Sequence, residues 1–129
     1  MNDAATPRRI WLCADDYGLA DGVNRAIRDL ISRGRLNATS VMVVGPAIGR
    51  AEVAALQEAA ANSPRCAIGL HATLTAPFRP LTMYFRPLDG GLFLPFPTML
   101  RSGLLRRLDP GLIEDELSAQ LAAFKELFG

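Results

Sequence analysis

Three short apolar runs, separated by two stretches of helical spacing, organise the first half of this chain. Arg8-Arg9-Ile10-Trp11-Leu12-Cys13-Ala14 reads as a buried strand that Tyr17-Gly18 breaks. Asp21 is placed to cap a helix, and Val23, Ala26, Ile27, Leu30 and Ile31 recur on one face of it. Gly34 is a natural stop. Thr39-Ser40-Val41-Met42-Val43-Val44, β-branched and apolar, predicts a second strand. Gly45-Pro46 turns into an Ala-rich helix that starts near Pro46 and runs to Ala61, where Asn62-Ser63-Pro64 ends it. Cys66-Ala67-Ile68-Gly69-Leu70 predicts a third strand, closed by His71.

The strands do not alternate between apolar and polar, which predicts burial on both faces in a parallel sheet with right-handed crossovers. The class is therefore α/β, with the order β-α-β-α-β. From Thr75 to Pro97 five prolines interleave with Phe78, Tyr84, Phe85, Phe93 and Phe96. This is an irregular excursion with a hairpin turn at Asp89-Gly90-Gly91, and its aromatic residues either wall a substrate groove or pack a core beneath a long loop. The second use is preferred. A short helix is expected over Met99–Leu108. Asp109-Pro110 then opens a final helix whose apolar face is Ile113, Leu117, Leu121, Phe124 and Phe128. Three strands are too few to close a barrel.

Composition narrows the partners. The 129 residues suit one domain, and 50% of them are hydrophobic, enough for a core. The net charge is +1, and the basic residues are scattered, almost all of them arginine, so no patch points to nucleic acid. No window is apolar enough to span a membrane, and the first residues lack the pattern of a signal peptide, so the expected location is cytoplasmic. Cys13 and Cys66 fall on the first and third strands. Two inter-strand steps, about 9–10 Å, exceed the roughly 7 Å reach of a disulfide, so both are expected to be buried thiols.

The chemistry concentrates at Asp15, Asp16 and His71, the only histidine. In parallel α/β folds ligands sit at the carboxyl ends of strands, and all three residues fall there. Two acids at the end of a buried strand are costly unless a cation or a moving proton uses them. Two carboxylates and an imidazole suit a divalent cation, with one acid as ligand and its neighbour as a base toward water. A turn-and-cap role for the acids and a structural role for the histidine are the alternatives. Thr73 and Thr75 follow His71 and are candidates to hydrogen-bond a ligand.

Ala14-Asp15-Asp16-Tyr17-Gly18-Leu19 with Gly22-Val23-Asn24-Arg25-Ala26-Ile27 resembles the opening motif of the YdjC-like carbohydrate deacetylases. Thr39-Ser40-Val41-Met42-Val43 with Gly45-Pro46, and Ile68-Gly69-Leu70-His71-Ala72-Thr73-Leu74-Thr75, are similar to the family's second and third strands. Arg107-Leu108-Asp109-Pro110 is most like the hopanoid-biosynthesis branch. The resemblance implies a partial (β/α) barrel of the polysaccharide-deacetylase type and removal of acetyl groups from N-acetylated sugars with a divalent metal such as Zn or Mg. It implies Asp16 and His71 as metal ligands, Asp15 as catalytic base and, for the hopanoid branch, an N-acetylglucosaminyl lipid as substrate; Thr73, from its place after His71, is expected to be substrate-binding.

Family members are about twice this length and take a third metal ligand, a histidine, from the next strand. This sequence has no second histidine. It is expected to be the N-terminal portion of the domain, impaired in activity by itself and self-associating through surfaces the remainder would cover. A non-catalytic remnant is the alternative. A receiver-like signalling module also carries an acidic pair after its first strand, but it needs an aspartate after the third strand and a lysine after the fifth. Here the third strand ends in His71, and the sole lysine is Lys125 in the last helix.

Overall fold

The computed structural model describes residues 10–63 and 65–129. Its elements are β1 (Cys13–Tyr17), α1 (Asp21–Ser32), β2 (Ala38–Val41), α2 (Arg50–Ala61), β3 (Ala67–Leu70), β4 (Leu88–Asp89), β5 (Leu92–Phe93), α3 (Phe96–Leu104) and α4 (Pro110–Phe128). Strands β1, β2 and β3 form a parallel sheet in that order, with Cys13, Ala38 and Ala67 level with one another. This matches the parallel β-α-β-α-β expectation. The sheet is open.

Helices α1, α2 and α4 all feed one core. Ile27 and Ile31, Leu56 and Ala59, and Phe124 and Phe128 pack with Ala14, Val41 and Ile68 of the strands. Because Ala14 and Ile68 are both in register with Thr39, these strand residues share a face and the three helices lie on the same side. The opposite face carries Cys13, Asp15, Ala38, Ser40, Ala67 and Gly69, none of them fully buried. Burial on both faces, expected from the apolar runs, is therefore not found among the described residues. Small side chains on the second face leave little apolar surface to bury, so the sheet tolerates its exposure.

The first strand is shifted from its expected place. Ile10 and Trp11 are 72% and 67% exposed, because pairing to β2 begins only at Cys13. The Asn37 side chain takes the backbone groups there instead, accepting from Leu12 N–H at 2.6 Å and donating to the Ile10 carbonyl at 3.0 Å. Arg8, Arg9 and Pro64 lie outside the described residues. Cys13 is exposed, not buried; Cys66 is half-buried, and both thiols are free.

Helix α1 ends as Gly34 foretells. Gly34, with φ 64°, donates to Ile31 O at 2.9 Å while Arg35 N–H reaches Leu30 O at 2.8 Å, a paired closure of the last turn. Asp21 is the first helical residue, and Ala20 takes the cap position without a side-chain bond. Helix α2 starts at Arg50, not near Pro46. The intervening turn packs backbone to backbone on the loop after β1: Ala47 N–H donates to Gly18 O at 2.9 Å. A Cβ on Gly45 would overlap that same Gly18 carbonyl, so this contact requires glycine.

The Phe/Pro excursion packs a second core, in which Phe85 and Phe93 meet edge to face at 5.0 Å beside Leu94 and Met99. The predicted turn joins β4 to β5 through Gly90 and Gly91, both at positive φ. Helix α3 begins three residues earlier than expected, with a proline in its first turn. Asp109 caps α4 by accepting from Gly111 N–H at 2.8 Å. On α4, however, the fully buried side chains are Glu116 and Gln120, while Leu121 is 42% exposed. No helix among the described residues is long and apolar enough to cross a membrane.

Candidate functional site

The acidic pair sits on an irregularity in β1. Ala14 is level with Thr39 and Tyr17 with Val41, so Asp15 and Asp16 together oppose the single residue Ser40. The extra residue is a β-bulge. Asp16 absorbs it at φ 70°, a left-handed conformation that aspartate accepts more readily than most residues. The bulge breaks the strand's alternation. Tyr17 turns into the core, fully buried, and the two consecutive carboxylates both stay at the carboxyl rim.

His71 follows β3 at that rim, its N–H bonded to Val41 O at 2.8 Å. Its Nδ1 lies 3.3 Å from Asp16 Oδ1 and 3.1 Å from Ser40 Oγ. The Ser40 hydroxyl donates to Asp15 Oδ1 at 2.6 Å. Asp15, Asp16 and His71 thus converge as the sequence predicts, and Ser40 joins them. Sequence reading missed Ser40 because a serine inside an apolar strand carries no signal by itself. The Cys13 thiol also reaches Asp15 Oδ1, at 3.7 Å; partial desolvation by its neighbours, then the Asp15 charge, raises its pKa.

Two ligands of one tetrahedral ion, each about 2.0 Å from it, lie about 3.3 Å apart. That is the 3.3 Å between His71 Nδ1 and Asp16 Oδ1, whose side chains are 31% and 47% exposed and so open to an arriving ion. A carboxylate oxygen and an imidazole nitrogen are suitable donors for such a cation. The pair fits two positions of a coordination shell. Among the described residues no group of three or more His, Cys, Asp or Glu side chains forms a ligand set.

Behind the rim lies a polar network that sequence reading also missed. Asn24, fully buried, accepts from Gly18 N–H at 2.7 Å and donates to Ala47 O at 2.9 Å and to Glu52 Oε2 at 3.0 Å. Tyr17 donates to the Glu52 carbonyl at 2.8 Å, and Arg28 pairs with Glu52 and donates to the Tyr17 hydroxyl at 2.7 Å. Burial pushes the Tyr17 pKa up to about 12 despite the opposing Arg28 bond. Burial also acts to raise Glu52, but hydrogen bonds from Arg28, Tyr17 and Asn24 outweigh it and hold the carboxyl below its ordinary value. The network joins the loops after β1 and β2, which carry the rim.

Thr73 does not face the rim. It is 4% exposed, its hydroxyl donates to His71 O at 3.1 Å, and Gln120 clamps its N–H and carbonyl at 3.0 and 2.7 Å. With its N–H, carbonyl and hydroxyl all engaged inside the protein, Thr73 supports the His71 backbone. Glu116, next to Gln120 on α4, accepts from Leu81 N–H, Thr82 N–H and the Thr82 hydroxyl. The buried polar pair of α4 therefore fastens the segment that follows His71.

Residues 9–129 match the sequence pattern of the YdjC-like protein family. The chain belongs to that family. Its relatives include carbohydrate deacetylase 1 of Listeria innocua serovar 6a, 34% identical over 115 residues that span 88% of this chain and 44% of the relative. The carbohydrate deacetylase of Listeria welshimeri serovar 6b is similar to the same extent, 34% over 115 residues. This chain thus spans less than half the length of the relatives it matches. Among solved structures, a candidate cellobiose-phosphate cleavage protein of Enterococcus faecalis V583 superimposes with a TM-score of 0.67 over 91% of this chain and 43% of that one, at 24% identity. At that identity the likeness speaks for the fold alone.

Proposed function

We propose that this chain carries one side of the active site of a metal-dependent carbohydrate N-deacetylase. The observation that supports the reading best is the meeting of Asp15, Asp16 and His71 at one sheet rim, with Asp16 Oδ1 and His71 Nδ1 at the separation of two ligands of one cation. In this reading Asp16 and His71 hold a divalent cation such as Zn or Mg, and a third protein ligand comes from outside these residues. When bound, the cation supplies Lewis-acid polarisation of the amide carbonyl and acidifies water. Asp15 accepts the proton of the attacking water. The water oxygen bonds to the carbonyl carbon, the amide C–N bond breaks as the nitrogen takes the proton that Asp15 received, and acetate and the free amine leave. Thr73 and Gln120 hold the His71 backbone in place.

The wider reading follows from the winding. Strand order β1-β2-β3 with all three core helices on one face supports a barrel segment over a doubly wound sheet, which covers both faces. We read the chain as the N-terminal portion of a cytoplasmic (β/α) barrel. The likeness of Arg107-Leu108-Asp109-Pro110 to the hopanoid branch favours an N-acetylglucosaminyl lipid as substrate.

The test has two parts. Isothermal titration with Zn or Mn measures the cation site; Asp16→Asn and His71→Ala are each expected to weaken binding at least tenfold. Acetate release from N-acetylglucosamine oligomers measures the reaction, and the chain by itself is expected to stay near background. Undiminished cation binding in both variants would refute the site. Metal-dependent acetate release that vanishes in Asp15→Asn would refute the expected impairment.

A further inference from the structure

We propose that Ser40 is the positioning residue that keeps the two neighbouring carboxylates in separate roles, by tethering Asp15 while Asp16 faces His71. The inference rests on the cation site proposed above and concerns how that site divides its labour. The bulge in β1 puts Asp15 and Asp16 on the same rim, where a divalent cation attracts both. If both coordinated it, no free base would remain beside the bound water.

Ser40 is the one residue opposite the bulge, and its Oγ reaches both Asp15 Oδ1, at 2.6 Å, and His71 Nδ1, at 3.1 Å. A hydroxyl has one proton to give. An ionised carboxylate can only accept, so the proton goes to Asp15, and the longer contact with His71 uses an Oγ lone pair. A cation on Nδ1 would displace that longer contact and leave the short Asp15 bond intact. Asp15 has few other restraints: the Cys13 thiol at 3.7 Å is a weak donor.

The prediction distinguishes this role from simple support of His71. Removing an outer hydrogen-bond partner of a metal-ligating histidine commonly weakens metal affinity by about 10–100-fold. Freeing a tethered carboxylate beside the cation does the opposite, because affinity rises with the number of charged ligands. Mn2+ titrations of the whole chain should therefore show Ser40→Ala binding roughly threefold tighter or more. Ser40→Val, β-branched and unable to donate, should show the same gain should the alanine variant fold poorly. Ser40→Thr, which keeps the hydroxyl, should match the unmodified chain, and Asp15→Asn combined with Ser40→Ala should lose the gain.

Equal or weaker binding in Ser40→Ala and Ser40→Val overturns the assignment, as does a gain that survives Asp15→Asn. If the unmodified chain does not bind Mn2+ at millimolar concentration, the cation site itself is refuted and the tether with it. Binding without the gain refutes the tether alone.

Discussion

At the scale of single residues, most of the chemistry depends on one backbone angle. Asp16 at φ 70° is what allows two successive side chains to serve one rim and sends Tyr17 into the core. Asp15, Asp16 and His71 were legible in the sequence because ionisable groups at the ends of apolar runs are expensive without a use. Ser40 and Asn24 were not, because a serine in a strand or an asparagine in a helix gains meaning only from a partner across the fold. Tyr17 offers a direct check of the buried network. Its native pKa, pushed to about 12 from an ordinary 10.0, means that between these values the folded chain keeps a proton the unfolded chain releases. Stability must then fall as pH rises through that window. A spectrophotometric titration should find a tyrosinate signal that appears only near pH 12 in the folded chain and disappears in Tyr17→Phe. Ionisation of every tyrosine near pH 10 would refute the network.

Among the elements, the order, the Schellman-type end of α1 and the Asp109 cap of α4 follow from local chemistry, and the sequence displays them openly. Element faces were harder to read. Helix α4 has apolar residues at helical spacing, yet its fully buried positions are Glu116 and Gln120. They are buried because the backbone groups of Thr73, Leu81 and Thr82 need partners there, and nothing local announces that need. The late start of α2 has a similar cause: Gly45 and Ala47 are committed to the Gly18 loop before a helix can begin. Asn24 on α1 is the bridge between those loops. Asn24→Leu would leave Gly18 N–H and Ala47 O without their partner, and a buried group so orphaned costs about 1–3 kcal/mol. Urea denaturation should show a loss of at least that size; a variant as stable as the parent would mean that the bridge contributes nothing.

For the whole molecule, the open questions are its edges. Among the described residues, strands β1 and β3 each have one unpaired side, a standing invitation to further pairing. Ile10, Trp11, Leu100 and Leu104 are exposed, and a groove of about 730 Å3 lined by Leu108, Ile113, Leu117 and Leu121 runs beside α4 without sharing a residue with the rim. We propose that this chain by itself self-associates, and sedimentation at micromolar concentration should find dimers or larger species; a strict monomer would refute that. The sequence by itself determined the α/β class and the three ionisable residues of the rim, because periodicity and charge placement are written along the chain, and its motifs carried the resemblance to the family. Only the tertiary structure decided that the helices share one face, that a bulge brings both aspartates to the rim where His71 meets Asp16, and that Ser40 bonds Asp15 beside them. Those outcomes turn on strand register and on which loops touch, and register is a relation between segments some 25 to 30 residues apart, set by packing rather than by any local preference.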